Sequence, residues 1–591
     1  MNNENKGETF GKIKPPASKE GKLLLQKLTA INDKQLATLI EGTAQAGSSG
    51  GGRGGIMGLS AAYVNKESTY YHDKRLLPLM EKEVEATAAR QNPSGLFDSG
   101  NLDSPPDTGF LVDTLCKAQI LLLRDGSSAT AGVRDVLEKI IRKTAPAMLV
   151  GGVHTPNHRW HICSTLAHIN SLYPDEAYIK RIDNWLGEGI DVDGEGQWGE
   201  RSSNYNAGVN NPAIMHLALL LKRDWLFEPL RRNLETTLYY VEPDGGIETV
   251  ASRRQDQYRG SRKYIYEYYS LYRLLAIIDK NGVFASVTRH IEENYLNEIA
   301  RSMGRNSALV NLLAEPLFGE ELPELKPLPD RFEKIFPNSK IVRFRRGNLT
   351  ATINGGNDAA YGFGFASGLA MNPAFFRMTK GKVVLDSIRM TPAFFSTGFF
   401  FPNELILVDG GYMLREERKV PYHLPLPKEH RRKDGQYELT PDGRFYSKMS
   451  FHQRPKDYKT IVNAVTIREK NGTFTLDFDI SGFENIPVTI ELCFRRGGKL
   501  DGVVLTSSGN VAGGMSGRQQ QNDPESFKMN GDRASYTVED TTLEFGPGVF
   551  EHSRLGMTGE QFSVYNGEFK ADGLRVYLTG TTPFKHTLQL K

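Results

Sequence analysis

The sequence is poor in the features that would assign it to several large functional classes. Its 591 residues include only three cysteines, Cys116, Cys163 and Cys493. An odd number without metal-ligand spacing argues against a disulfide framework and against a zinc site. Each cysteine lies in an apolar stretch, which predicts three buried thiols. Lysine and arginine exceed aspartate and glutamate by only three, 73 against 70, so the charge balance gives no signature of nucleic-acid binding.

Long apolar segments are also missing. No run reaches the roughly 18 apolar residues of a membrane-spanning helix, so we expect no membrane span. The first residues, MNNENKGETF, lack the apolar core of a secretory signal. We therefore expect a periplasmic or secreted protein if a leader has been removed, and a cytoplasmic one otherwise. The hydrophobic share of 39% and the charged share of 24% are ordinary for a globular protein.

The first half of the chain has the apolar spacing of helices. After a predicted flexible N-terminus (1–21), segments such as TGFLVDTLCKAQILLLRD and RWHICSTLAHINSLY repeat apolar residues every three or four positions. Similar units of a glycine-containing turn, a polar segment and a helix recur about every 45–55 residues, the length of a helical hairpin with its loop. Stacked hairpins form a solenoid or an α/α toroid and place equivalent loops on one face. We predict a catalytic toroid over residues 22–336.

The second half changes to alternating apolar and polar residues. Segments such as KIVRFRRGNLTATINGG and VTIELCFRR are rich in β-branched and aromatic residues and are separated by GN, GG, NG and PDG turns. Many strands in series favour a large antiparallel β-sandwich over residues 337–591. The apolar run FFSTGFFF (394–401) is interpreted as buried sheet, with an aromatic lip for stacking sugars as the alternative.

The first polar cluster is HTPNHRWH (154–161). If a helix begins near His158, its N-terminus favours an anion. Arg159 is a two-pronged donor suited to a carboxylate, and His158 can transfer a proton near neutral pH. In the alternative interpretation, Asn157 only caps the helix and the histidines pack under Trp160.

The second cluster is GQWGERSSNYNAGVNN (196–211). The phenol of Tyr205 can transfer a proton if a neighbouring cation lowers its pKa. The asparagines offer amide donors for an oxyanion or for sugar hydroxyls. The alternative is a helix start in which Glu200 and Arg201 form a surface ion pair.

Two further segments could contribute to binding. SRRQDQYRGSRKY (252–264), with Arg254 and Tyr258, could clamp a uronate, sulfate or phosphate, or could be a solvated helix face. The glycine-rich GTAQAGSSGGGRGGIMG lacks the ending of a phosphate loop, and we interpret it as a loop at the rim of a cleft that offers Arg53. DVDGEGQ (191–197) lacks the late glutamate of a calcium loop and is predicted to be a turn.

These motifs carry a resemblance to a known group of enzymes. Helical hairpins followed by a large antiparallel β region resemble the toroid-plus-sandwich polysaccharide lyases, which include heparinase-like, alginate, chondroitin and hyaluronate lyases. At motif level the resemblance rests on NHRW (157–160) and DGEGQWGERSSNYN (193–206). The latter is similar to the Asp-Gly…Glu-x-Ser…Tyr loop of the heparinase-like lyases, although those lyases often follow their tyrosine with histidine, where this chain has Asn206.

The resemblance implies β-elimination on a uronate-containing glycan, including one in which glucuronate is linked to rhamnose. Donors neutralise the carboxylate, while a histidine and a tyrosine transfer protons. The catalytic residues expected are Asn157, His158, Arg159, Arg201 and Tyr205. The substrate-binding residues expected are Arg53, Trp160, Glu200, Asn206, Asn211, Arg254 and Tyr258. We expect no cofactor and no metal, a uronate-containing oligo- or polysaccharide as the partner, no nucleic acid, and a monomer or homodimer.

Two other functions fit the same composition. A glycoside hydrolase of the toroid class would need two carboxylates at a set separation, and the sequence offers Asp98, Asp107, Glu200 and Asp256. A non-catalytic glycan-binding protein would use the same cleft without a proton-transfer group. The architecture by itself does not choose between them.

Overall fold

A computed structural model describes residues 11–41, 55–257, 263–301, 307–358, 368–443, 446–506, 525–557 and 572–591. The described residues divide into two units. The helical unit takes those within Met1–Val241, Gly245–Ile247 and Lys263–Leu328. The β unit takes those within Glu242–Asp244, Glu248–Arg262 and Pro329–Lys591.

The helical unit is a series of packed helices. The α-helices are α1 Lys19–Ile40, α2 Ile56–Val64, α3 Leu76–Ala89, α4 Pro105–Asp125, α5 Ala131–Val150, α6 Pro156–Leu172, α7 Glu176–Leu186, α8 Ser203–Tyr205, α9 Asn211–Leu221, α10 Phe227–Tyr240, α11 Tyr269–Ile278, α12 Gly282–Asn294, α13 Leu296–Arg301 and α14 Ala308–Ala314. A π-helix, Asn206–Asn210, joins α8 to α9. Short 3₁₀ turns occur in this unit at Ser128–Thr130, Asp224–Leu226, Ile265–Tyr268 and Pro316–Gly319, and in the β unit at Gln255–Gln257, Lys428–His430 and Phe451–Gln453.

Local sequence signals set the ends of these helices. In α4, the Ser104 hydroxyl accepts a hydrogen bond from the backbone N–H of Asp107, and Pro105 occupies the first turn. The helix ends at Gly126, whose φ of 75° is the left-handed conformation that glycine adopts without strain. Helix α6 packs on α4, on α7 and on α9, so the loops before α4, α6 and α8 lead into neighbouring helices. Among the described helices, none combines the length and the apolar character needed to cross a bilayer.

The β unit contains two large sheets and one small hairpin. Its strands are β1 Arg331–Phe336, β2 Ile341–Arg346, β3 Leu349–Asn354, β4 Phe376–Lys380, β5 Val383–Pro392, β6 Glu404–Val408, β7 Gly411–His423, β8 Thr440–Pro441, β9 Tyr446–Ser447, β10 Lys456–Lys470, β11 Thr473–Gly482, β12 Pro487–Phe494, β13 Lys499–Asp501, β14 Val503–Leu505, β15 Ser526–Met529, β16 Ala534–Val538, β17 Thr541–Gly546, β18 Leu574–Thr581 and β19 Phe584–Leu590.

The two large sheets are almost wholly antiparallel. One has the order β1-β2-β3-β4-β5-β12-β18-β15-β14, and the other has the order β13-β16-β17-β19-β11-β10-β7-β6. Between named strands of the described chain, only β15 and β18 pair in parallel. Buried side chains from both sheets, among them Phe344, Phe376 and Phe474, form one apolar core. The predicted fold class, helical hairpins followed by an antiparallel β-sandwich, is confirmed.

The run FFSTGFFF was placed in a sheet by its apolar continuity, and this is wrong in part. Phe394, Phe399 and Phe400 are fully buried, but the run lies in a loop after β5. Phe395 and Ser396 have φ values of 52° and 53°, which turn the chain back on itself. Burial without strand geometry explains why apolar content alone gave the wrong element.

The boundary predicted at residue 336 also shifts. Strand β1 begins at Arg331, and a segment that starts at Glu248 packs on the β unit. The Glu248 carboxylate pairs with Arg377 at 2.5 Å and accepts a hydrogen bond from Thr352 at 2.9 Å. These contacts join residues more than a hundred positions apart, which local periodicity does not register.

Candidate functional site

The candidate site lies where the N-terminal ends of helices meet in the helical unit. Helix α6 begins at Pro156, after Thr155, whose side chain makes no capping hydrogen bond. Helix α8 begins after Ser202, whose hydroxyl accepts from the backbone N–H of Tyr205 at 3.3 Å. The π-helix that follows α8 packs on α6. Both predicted polar clusters therefore occupy helix starts, where backbone N–H groups favour anions.

One contact joins the two clusters directly. The amide nitrogen of Asn157 lies 3.0 and 2.9 Å from the two carboxylate oxygens of Glu200, across 43 residues of sequence. Asn157 is 1% exposed and Glu200 is 5% exposed. A hydrogen bond between an amide and a buried carboxylate is charge-assisted and stronger than a neutral one. The separation matches the hairpin repeat seen in the sequence.

Aromatic rings surround His158. The centroid of its ring lies 4.6 Å from that of the His154 ring and 6.3 Å from that of the Phe110 ring, and both pairs are edge-to-face. Phe110 in turn stacks on the buried His161 at 3.9 Å. The sequence interpretation missed Phe110, which α4 brings to this cluster. The available signal was its place in DTGF, directly after the polar loop that precedes α4.

The turn that carries Glu200 is anchored in the core. Arg201 adopts a left-handed φ of 51°, and its backbone N–H donates to the carbonyl of Trp198 at 2.8 Å. Trp198 is fully buried, and its indole donates to the amide oxygen of Asn211 at 2.8 Å. The Asn211 nitrogen donates to Asn233 at 2.9 Å. Asn211 is fully buried and both of its amide atoms are hydrogen-bonded within the protein, so it anchors this turn, and its substrate contact stays a prediction.

Tyr205 and Asn206 lie where α8 passes into the π-helix. Tyr205 is partly exposed, while Asn206 is 5% exposed. The backbone carbonyl of Ser203 accepts a hydrogen bond from the buried Tyr268 hydroxyl at 3.3 Å, which ties α8 to the core. The amide oxygen of Asn206 is buried and has no hydrogen-bond partner among the described residues. Single π turns are frequent at functional sites.

Arg159 and Trp160 have structural surroundings. The guanidinium of Arg159 contacts Glu188 at 2.9 Å and Asp191 at 3.2 Å, and it lies over the Trp160 ring at 4.7 Å. Trp160 is fully buried, and its indole donates to Asp191 at 2.9 Å. Protein covers the Trp160 ring, which favours the interpretation of this residue as part of the core, and its substrate contact stays a prediction. Two carboxylates thus already offset the charge of the Arg159 guanidinium.

Three further residues were predicted to bind substrate. Arg254 belongs to the β unit, on a partly buried loop at Gln255–Gln257. There the backbone carbonyl of Gln257 accepts from Asn372 at 2.6 Å, and Arg253 pairs with Asp358 at 2.7 Å. Tyr258 and Arg53 lie outside the described residues.

The DVDGEGQ segment forms the predicted turn. The Asp193 carboxylate accepts the backbone N–H groups of Glu195 and Gln197 at 2.9 and 3.0 Å. This is the local side-chain to backbone pattern that aspartate uses in turns.

One buried group has the composition of a metal site. Asp113, His168 and His216 offer ligand atoms within 4.8 Å of one another. However, the Lys117 ammonium lies 3.0 Å from Nε2 of His216, and Nδ1 of His168 lies 2.9 Å from the Ser164 carbonyl. The two histidines of this group therefore already have polar partners within the described chain.

The four carboxylates that a hydrolase could use are each engaged locally. Asp107 accepts a hydrogen bond from the Ser104 hydroxyl at 2.6 Å, and Asp98 accepts one from a backbone N–H at 2.9 Å. Glu200 accepts its hydrogen bond from the Asn157 amide. Asp256 lies in the β unit, where it accepts from Ser252 at 2.5 Å. Each of the four carboxylates thus has a hydrogen-bond donor within its own unit.

Comparison with known proteins shows similarity in fold and none in sequence. The chain matches no model of a protein family and no curated protein. Among solved structures, a chondroitin AC lyase from Streptomyces coelicolor A3 aligns with a TM-score of 0.50 and 12% identity, over 100% of this chain and 82% of that one. A heparinase III aligns with a TM-score of 0.48 and 11% identity, over 90% of this chain and 75% of that one. A heparan sulfate lyase from Pedobacter heparinus aligns with a TM-score of 0.42 and 9% identity, over 90% of this chain and 74% of that one.

The likeness to the Streptomyces lyase extends over the whole of this chain. It shows that the chain has the toroid-plus-sandwich fold found in polysaccharide lyases, which the sequence resemblance predicted. At 12% identity it shows the fold and not the reaction, because one fold hosts several chemistries.

Proposed function

We propose that this chain is a polysaccharide lyase that cleaves a uronate-containing glycan by β-elimination. The observation that carries the proposal is the contact between Asn157 and Glu200. It joins the two segments whose residues supply a histidine, a tyrosine, an arginine and amide donors. The likeness in fold to a chondroitin AC lyase supports the same reaction class.

The reaction sets the roles of these residues. A base removes the proton α to the uronate carboxylate, the electron pair forms a carbon–carbon double bond, and the bond to the 4-linked sugar oxygen breaks. His158 and Tyr205 share the two proton transfers, as base and as acid toward the leaving oxygen. The amide of Asn157 and the guanidinium of Arg201 stabilise the charge that develops on the carboxylate. Arg159 is left out of this set because two carboxylates hold it.

The substrate class follows from the same chemistry. The proton that must leave is acidic enough only if the carbon that carries it also carries a carboxyl group. The neighbouring carbon is the one whose bond to the leaving oxygen breaks. Uronates of glycosaminoglycans, of alginate and of glycans with glucuronate linked to rhamnose all qualify. The proposal includes each of these glycans. It also includes secretion or periplasmic export of the protein, because such polymers occur outside the cytoplasm.

A substrate screen tests the proposal. The full-length chain is incubated with each of these glycans, and ultraviolet absorbance of an unsaturated uronate is followed. The matched control is the same glycan after reduction of its carboxyl groups to alcohols, which removes the acidifying group and leaves the linkage intact. We expect absorbance from at least one native glycan and none from its reduced form. Cleavage of both forms, or of none of the panel, would contradict the proposal.

A further inference from the structure

Glu200 holds the amide of Asn157 in one orientation. A carboxylate accepts hydrogen bonds and does not donate them, so the amide must turn its nitrogen toward Glu200. Both oxygens of Glu200 lie within 3.0 Å of that nitrogen. Both side chains are at least nine-tenths buried, so water is a poor substitute for either partner.

The backbone around Glu200 is fixed as firmly as the side chain. A left-handed conformation such as that of Arg201 costs a residue other than glycine about 1–2 kcal/mol. Such a conformation persists where the surrounding structure determines it. Here the N–H of Gly199 donates to the Asp191 carbonyl at 2.9 Å, and the N–H of Arg201 donates to Trp198. The turn therefore delivers the Glu200 carboxylate to one place beside the start of α6.

We propose that Glu200 is a positioning residue that decides which atoms of Asn157 meet the substrate. An amide nitrogen carries two hydrogens. One of these hydrogens is donated to Glu200, and the other can be donated to the uronate carboxylate. The amide oxygen of Asn157 is buried and accepts no hydrogen bond within the described chain, so a sugar hydroxyl that reaches it would find an acceptor without a partner. This inference rests on the proposed lyase function and replaces the direct substrate contact predicted for Glu200.

Without Glu200 the amide can rotate by half a turn. Its oxygen would then face the uronate carboxylate, and two acceptors would repel each other. The loss should appear mainly in kcat, because the negative charge on the carboxylate oxygens grows toward the transition state. Glu200 transfers no proton in this account, so the shape of the pH profile should not depend on it.

The test measures kcat, KM and the pH profile of the full-length chain on the glycan that it cleaves. Glu200→Ala should lower kcat about 10- to 100-fold with KM changed only a few-fold, as expected for a misplaced group. Glu200→Gln keeps an acceptor oxygen, so its kcat should fall less than that of Glu200→Ala. The matched control is Glu228→Ala, an exposed glutamate at the start of α10 that pairs with Arg231, and it should behave as wild type.

A double-mutant cycle guards against a folding effect. In an Asn157→Ala background, Glu200→Gln should cause no further loss of kcat, because the group that it positions is gone. Wild-type kcat in Glu200→Ala overturns the positioning role. Equal losses in the Gln and Ala variants, a missing limb of the pH profile, or additive losses in the cycle also overturn it. A wild-type chain without turnover on any uronate glycan instead overturns the proposed function itself.

Discussion

At the scale of single residues, side-chain contacts divide the NHRW segment into two groups. Trp160 and Arg159 belong to a bracing cluster with Asp191, while Asn157 contacts Glu200 of the second polar segment. His158 packs beside the rings of His154 and Phe110. All four residue types are common in sugar-binding sites, and the sequence places them in consecutive positions. The division depends on which side of α6 each residue occupies and on what packs there, and residue type does not determine that.

Trp160 should matter to folding and not to glycan contact. Trp160→Ala removes a fully buried ring and its hydrogen bond to Asp191, and we expect the free energy of unfolding to fall by about 3–5 kcal/mol. Denaturant titration measures this loss. Trp225→Ala is the control, because Trp225 is 54% exposed and its loss should change stability little. A Trp160 variant as stable as wild type would show that the indole is not part of the core.

His158 and Tyr205 should affect turnover far more than folding. His158→Ala and Tyr205→Phe should each lower kcat about 10²–10⁴-fold, as is typical when a general acid or base is lost. Their KM values should change less, because proton transfer acts in the transition state. Steady-state kinetics on the cleaved glycan measures both quantities. If both variants keep near-normal kcat, the two residues are wrongly assigned.

The three thiols should be inert in the folded chain. All three cysteines are free and buried, and burial raises the pKa of the Cys116, Cys163 and Cys493 thiols well above the ordinary value. The reactive thiolate is therefore scarce near neutral pH. A thiol-specific colorimetric reagent should label none of them in buffer and all three in denaturant. Rapid labelling of the native chain would show that a thiol is accessible. Their apolar sequence surroundings had predicted this burial.

At the scale of elements, periodicity predicted the type of most helices and strands but not their partners. The leucine spacing in KLLLQKLTAINDKQLATLIEG matches helix α1, and the alternation in KTIVNAVTIREK matches β10. The π-helix at Asn206–Asn210 was not predicted from the sequence. The assignment of Glu248 and its loop to the β unit depends on pairing with distant arginines, which no local pattern encodes.

The Glu248 contact should be a strong link within the β unit. Glu248→Ala leaves Arg377, only 6% exposed at its side chain, without its carboxylate partner. Breaking a buried ion pair from one side typically costs about 3–5 kcal/mol, which would appear as a lower denaturation midpoint. Glu539→Ala is the matched control, since its pair with Lys382 is solvent-exposed at both ends and should contribute little. Equal midpoints for the two variants would contradict a bracing role for Glu248.

At the scale of the whole molecule, the change from helical to alternating periodicity was sufficient to predict the fold class. The reaction was not predictable in the same way, because it depends on a few side chains that the hairpin repeat brings together. The repeat length did indicate that NHRW and the Glu200–Tyr205 segment would be neighbours, and the Asn157–Glu200 contact agrees. What the sequence left open was which of the neighbours face the substrate and which brace the turn.

The mass of the reaction product tests the central claim most directly. Elimination breaks the glycosidic bond without adding water, so the fragment with the new non-reducing end is lighter by one water than a hydrolysis product of the same length. We expect mass spectrometry of a digested uronate glycan to show this unsaturated fragment, formed by wild type and greatly reduced in His158→Ala. Fragments that all carry the added water would identify a hydrolase and contradict the account.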